Sequence, residues 1–291
     1  MKCKLISALL LLCYSGLAVA SENTDPIDKF VNESGLIVRK GLSNKNFAKD
    51  PASISWISPD DGESSTATDI GLAFRLIESS NDINSPWILL PKIEYHKNTL
   101  TDKKQDTFKA GIIFSRYFNA EEALTHCIET SAEYKNDRKQ VGQGAAISIS
   151  YTPTYAPLHL GYTGSGPFQY MFTPWVAIQA EKADGIKEND SNGSVSRIKA
   201  SMQLAIYPLH DFFNKNFEVI LSYQNWFNIS RSGTFDSYDH NQHLFNSTLN
   251  IYFDNKQRFG VGIDYSSGEN PEEGMAHENT ISSALKVKLG K

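Results

Sequence analysis

Apolar and polar positions alternate along most of this chain. Near the C-terminus Phe259, Val261, Ile263 and Tyr265 alternate with Gly260, Gly262 and Asp264. Ile281, Leu285, Val287 and Leu289 then alternate with Ser282, Ala284, Lys286 and Lys288. A period of two with one apolar face predicts strands. The same pattern predicts strands over 52–58, 69–78, 87–96, 107–117, 126–135 and 145–151. It continues over 195–207, 217–226 and 245–253. The aromatic stretch 158–182, interrupted by Gly164-Ser165-Gly166-Pro167, counts as one strand. Pro91 sits awkwardly inside 87–96, because a central strand resists proline. The connections sort by length: turns near 80, 120, 154, 211 and 255 are short or carry proline. Those near 61, 101, 139, 189, 236 and 272 are mostly longer and polar, with 229–243 read as one long loop. About twelve antiparallel strands with this asymmetry predict an all-β transmembrane barrel.

Charge placement decides which face meets lipid. Lys92, Glu94 and His96 share one face of their strand, opposite Trp87, Leu89, Ile93 and Tyr95. Arg197, Lys199, Glu218 and Lys286 fall on the same side of theirs. A lysine or arginine on the lipid face costs about 2–4 kcal/mol at the bilayer midplane, so these seven are expected to face the lumen, as candidate pore lining. Aromatic residues such as Trp87, Tyr151, Phe217 and Tyr223 lie towards strand ends, as interfacial girdles do. Alternation alone fits a soluble secreted barrel or sandwich as well; the number of inward polar groups separates the two.

Residues 1–20 read as a secretory signal: Lys2 and Lys4, an apolar core over 5–14, and Ala18-Val19-Ala20 before Ser21. Lipoprotein processing at Cys13 is disfavoured by Leu12, which is not small. Residues 21–50 are a polar segment, a plug or a tail, with Gly35-Leu36-Ile37-Val38 as their apolar cluster; the barrel is expected over 51–291. Cleavage would remove two lysines and no acid, moving the formal charge from −5 to −7. That balance excludes nucleic acid as a partner. Cys127 alone would remain, so no internal disulfide holds the fold. Five Asn-x-Ser/Thr sequons, at Asn32, Asn189, Asn192, Asn228 and Asn246, follow from an Asn- and Ser-rich loop composition.

In signal, alternation and loop asymmetry, residues 52–289 resemble Gram-negative outer-membrane β-barrel proteins, although such proteins commonly end on an aromatic residue and this chain ends Leu289-Gly290-Lys291. The resemblance implies outer-membrane lipid as the surroundings. Glu188-Asn189-Asp190-Ser191-Asn192-Gly193 is similar to the Asn-His-Asp-Ser-Asn-Gly motif of outer-membrane phospholipase A. Ser191 takes the nucleophile's place, but Asn189 stands where that family has its general base, and an amide cannot accept the serine proton. His240 and His243, with Asp236 and Asp239, read as a solvated loop. No pattern calls for a cofactor or a metal. The reading is a non-enzymatic outer-membrane barrel, either a narrow channel for small polar solutes or a structural or surface protein. A lipid esterase is the alternative.

Overall fold

The computed structural model describes residues 25–42, 50–59, 64–78, 86–100, 104–118, 124–139, 142–161, 163, 169–184, 192–208, 210–213 and 215–290. The expected signal, residues 1–20, lies outside them. The chain is all-β, a closed antiparallel barrel of 12 strands. Helix α1 (Pro26–Ser34) precedes β1 (Leu36–Arg39), β2 (Ala52–Pro59), β3 (Ser65–Phe74), β4 (Ile77–Glu78), β5 (Trp87–Asn98), β6 (Gln105–Phe118) and β7 (Leu124–Asp137). There follow β8 (Gly142–Tyr155), β9 (Gln169–Ala183), β10 (Gly193–Tyr207), β11 (Phe217–Ser232), β12 (Asn241–Tyr252), β13 (Phe259–Asn270) and β14 (Met275–Val287). From β5 to β14 each strand pairs with its sequence neighbour; β3 pairs with β5, and β14 returns to β2 and closes the wall.

Two wall positions are each built from two segments. Arg39 faces Gly71 on β3 and Ser53 faces Asp69, so β1 and β2 are one strand in register terms. Their other neighbour agrees, with Val38 bridging Leu289 and Ala52 facing Val287. The ladder passes directly from Arg39 to Ala52 over an insert, residues 40–51, whose described ends meet where Lys40 N–H donates to Asp50 O at 2.8 Å. Leu36–Arg39 therefore belongs to the wall, although hydropathy groups it with the polar leader. β3 and β4 likewise form one strand, broken around Arg75. Pro91 lies opposite this break, in ladder with β6 through Ile112.

The stretch 158–182 holds a single strand, β9, and its ladder to β10 runs without a shift from Gln169 to Ala183. The long loop expected over 229–243 is shorter: β11 continues to Ser232 and β12 starts at Asn241. Asn and Ser in those stretches made them look like loop, yet cross-strand pairs such as Asn225 Nδ2 to Asn241 Oδ1 (2.6 Å) hold them in the ladder.

The wall is apolar outside and polar inside. Ile149, Ile178, Ile198 and Phe227 stand side by side on four adjacent strands, and they are 60, 64, 45 and 50% exposed. The intervening positions Gln179, Glu181, Arg197 and Lys199 are buried. This inverts the polarity of a soluble barrel, whose charges would face water.

Helix α1 lies near the end of the barrel that carries the 253–258 turn. Asp25 caps it by accepting from Ile27 N–H at 3.0 Å. Gly35 ends it at φ 66°, a left-handed conformation, and a Cβ there would sit 2.8 Å from Arg75 O. Arg258, in the β12–β13 turn, reaches Asp25 (2.5 Å), Asp28 (3.5 Å) and Asp254 (2.6 Å), and Lys256 also pairs with Asp28.

Candidate functional site in the barrel lumen

Alternation turns every second residue of a barrel strand inward, so neighbouring strands place polar side chains against one another. On β5 the inward positions are Lys92, Glu94 and His96, all buried. Lys92 Nζ donates to Glu94 Oε1 (2.9 Å) and to Glu133 Oε2 on β7 (2.6 Å). Lys109 on β6 lies 3.0 Å from Glu94 Oε2. His96 Nδ1 is 3.0 Å from Asp69 Oδ1, and its Nε2 is 3.4 Å from Glu94 Oε2. Lys40, at the start of the insert, is 3.7 Å from Asp69, and Leu42 N–H donates to Glu94 at 2.9 Å.

Arg197 and Lys199 enter a second cluster. Glu181 accepts from Lys135 (3.2 Å) and Arg197 (3.0 Å), while Lys199 meets Glu272 at 2.6 Å. Glu218 sits in a third group, accepting from the Tyr207 and Tyr252 hydroxyls (2.9 and 2.7 Å) and from Asn250. Lys286 pairs with Asp264 at 2.6 Å. Of the seven sequence candidates, Lys92, Glu94 and His96 come together; the other four divide among these separate groups.

The turn Pro271–Gly274, between β13 and β14, folds into the lumen. Glu273 O accepts from Gln105 Nε2 (2.7 Å) and Thr107 Oγ1 (2.6 Å), and Pro271 O accepts from Lys135 (2.9 Å). Gly274 takes φ 70°, and a Cβ there would lie 2.5 Å from Asp137 Oδ2. Burial alone would raise the Glu272 carboxyl, but Lys199, Lys109 and Arg197 outweigh it and hold it at about 2. Beside the turn a cavity of about 100 Å³ is lined by charged groups, Lys40, Asp50, Asp69, Asp264, Glu273 and Lys286, and by apolar ones such as Ile57, Leu100 and Ile220.

On the inner face of β9 and β10, Thr173 Oγ1, Gln179 Oε1, Ser201 Oγ and Gln203 Oε1 are buried and find no hydrogen-bond partner among the described residues. Ser191 and Asn189 of the esterase-like motif lie outside those residues. His240 Nδ1–H donates to Asn228 O at 3.3 Å, and His243 stacks on Tyr223. Among the described residues, Asp69, His96 and Glu273 do converge, with ligand atoms all within 4.8 Å of one another.

A closed wall with apolar groups outside and ion pairs inside defines a transmembrane β-barrel of the outer-membrane type, because only such closure pairs every backbone group in hydrocarbon. No family model and no curated protein matches the sequence. Among solved structures it is similar to the NanC porin, at 8% identity over 82% of this chain and 100% of that one, TM-score 0.43. It is similar to the transport unit of the autotransporter AIDA-I from Escherichia coli, at 15% over 98% and 97%, TM-score 0.46. The translocator domain of the autotransporter NalP from Neisseria meningitidis matches at 9% over 99% and 95%, TM-score 0.40. The class rests on the topology and polarity of this wall.

Proposed function

We propose that this protein is a narrow channel for small polar solutes, closed at rest by its own inward-folded 271–274 turn. The observation that carries the reading is the strip of buried, unpartnered polar atoms at Thr173, Gln179, Ser201 and Gln203. Buried polar groups in folded proteins are satisfied by protein or by water, so a strip of this kind suits a hydrated path. The turn beside it is held by polar contacts to Lys199, Lys135, Gln105 and Thr107. Such contacts can exchange for water contacts, as a releasable constriction requires. The charges along β5 and β10 would then select among solutes.

The test is conductance of the purified barrel in a planar bilayer. The wild type should give small stepwise openings. Glu272→Ala, which frees the turn from Lys199, should raise the unit conductance several-fold. Insertion without conductance in both proteins would sink the channel reading and leave a structural or surface barrel.

A further inference from the structure

Three ligand-type atoms from three separate elements meet beside the cavity near the turn. Asp69 comes from β3, His96 from β5, and Glu273 from the 271–274 turn. We propose that these side chains form a binding site for a divalent first-row cation of the zinc class, and that the bound ion ties the turn to the wall.

The geometry of His96 points there. Its ring is fully buried, with Nε2 beside Glu94 Oε2. A proton on Nε2 donated to Glu94 is the arrangement in which a carboxylate behind a histidine orients it for a metal. The lone pair on Nδ1 then faces Asp69 Oδ1 at 3.0 Å and Glu273 Oε2 at 3.9 Å. In that tautomer three acceptor atoms converge, and a cation between them would satisfy all three. Ligand bonds of about 2.0–2.2 Å around zinc put neighbouring donor atoms roughly 3–3.6 Å apart; the Asp69 contact at 3.0 Å meets that range and the Glu273 contact at 3.9 Å lies just beyond it. The remaining oxygens are already engaged: Asp69 Oδ2 by Lys40, and Glu94 by Lys92, Lys109 and Leu42 N–H.

An imidazole with two carboxylates and no thiolate suits zinc or its first-row neighbours better than calcium or magnesium, which prefer all-oxygen shells. The adjoining cavity of about 100 Å³ has room for water to complete the coordination. The site would exist whether or not the lumen conducts.

The experiment is equilibrium dialysis of the folded barrel in detergent micelles against zinc, followed by metal analysis. A His243→Ala, His277→Ala background removes the pair of imidazoles on β12 and β14, whose rings lie 6.5 Å apart and could bind zinc by themselves. One zinc per chain is expected, with affinity lowered at least about tenfold by His96→Asn and by Glu273→Gln. Heat-dependent gel mobility verifies that each variant is folded. Cobalt(II) added to the background chain should give the visible bands of a nitrogen–oxygen site, a readout that does not depend on the ligand variants folding. No stoichiometric zinc, or zinc binding unchanged in both variants, or no cobalt spectrum, would overturn the site. A barrel that binds protons at His96 but no metal would also overturn it.

Discussion

Among the described residues, Glu94 engages Lys92, Lys109, His96 and the Leu42 amide. Removing one partner from a buried ion pair costs about 3–5 kcal/mol, because the other charge stays buried. Glu94→Gln should therefore lower the barrel's unfolding free energy by about that much in urea titrations. Glu272 sets a different dependence. Its carboxyl is held at about 2, below the ordinary 4.5. A depressed carboxyl stabilises fully above its ordinary value and loses that contribution as pH falls towards the folded value. The urea midpoint should fall between those limits, with on the order of 3 kcal/mol at stake, and Glu272→Gln should remove this part of the fall. Lys92, Glu94 and His96 were legible because alternation on one strand displays them together. Asp69 and Glu273 were not: alternation reports a face, while their meeting depends on strand register and on a turn that folds inward.

At the scale of elements, the ladder runs from Arg39 to Ala52 without the insert 40–51. Arg39 and Ala52 occupy successive ladder positions against both β3 and β14. Joining Arg39 directly to Ala52 should give a chain that still folds, seen as the usual heat-dependent gel shift. Its lumen loses Lys40 and Leu42, so conductance should rise in the same bilayer assay. Loss of folding would show that the insert, and not the ladder, sets the register. Helix α1 depends on the β12–β13 turn instead. The Arg258 guanidinium, the backbone of Ile27 and the nearby Lys256 hold the Asp25 carboxyl below its ordinary value. The latch is present above the usual aspartate range and released as pH falls below it; Arg258→Ala should release it at neutral pH, read as faster proteolysis near residue 30. The strands themselves were legible from period-two patterning. Their ends were not, because Asn and Ser at 225–246 pair across the ladder while looking like loop composition.

At the scale of the whole molecule, the apolar belt through Ile149, Ile178, Ile198 and Phe227 makes a lipid-facing prediction. Ile178→Lys should destabilise the barrel in bilayers by about 2–4 kcal/mol. The same change on a water-facing surface would be nearly neutral, so unfolding in vesicles separates the two environments. Class and strand number were legible because membrane barrels put their signal in alternation and loop asymmetry. Which segments close the wall was hidden, since hydropathy sees no difference between a leader and a four-residue strand at Leu36–Arg39. That closure has a kinetic side. Arg39 donates to Leu289 O and Gly290 O across sequence separations of 250 and 251 residues. Bringing such distant points together costs about 5 kcal/mol of chain entropy, which no hairpin elsewhere in the wall requires. The seam between the combined β1–β2 strand and the 275–290 segment should then be the last contact to form during insertion and the first to part under load, so a pulling force should unzip the barrel from there.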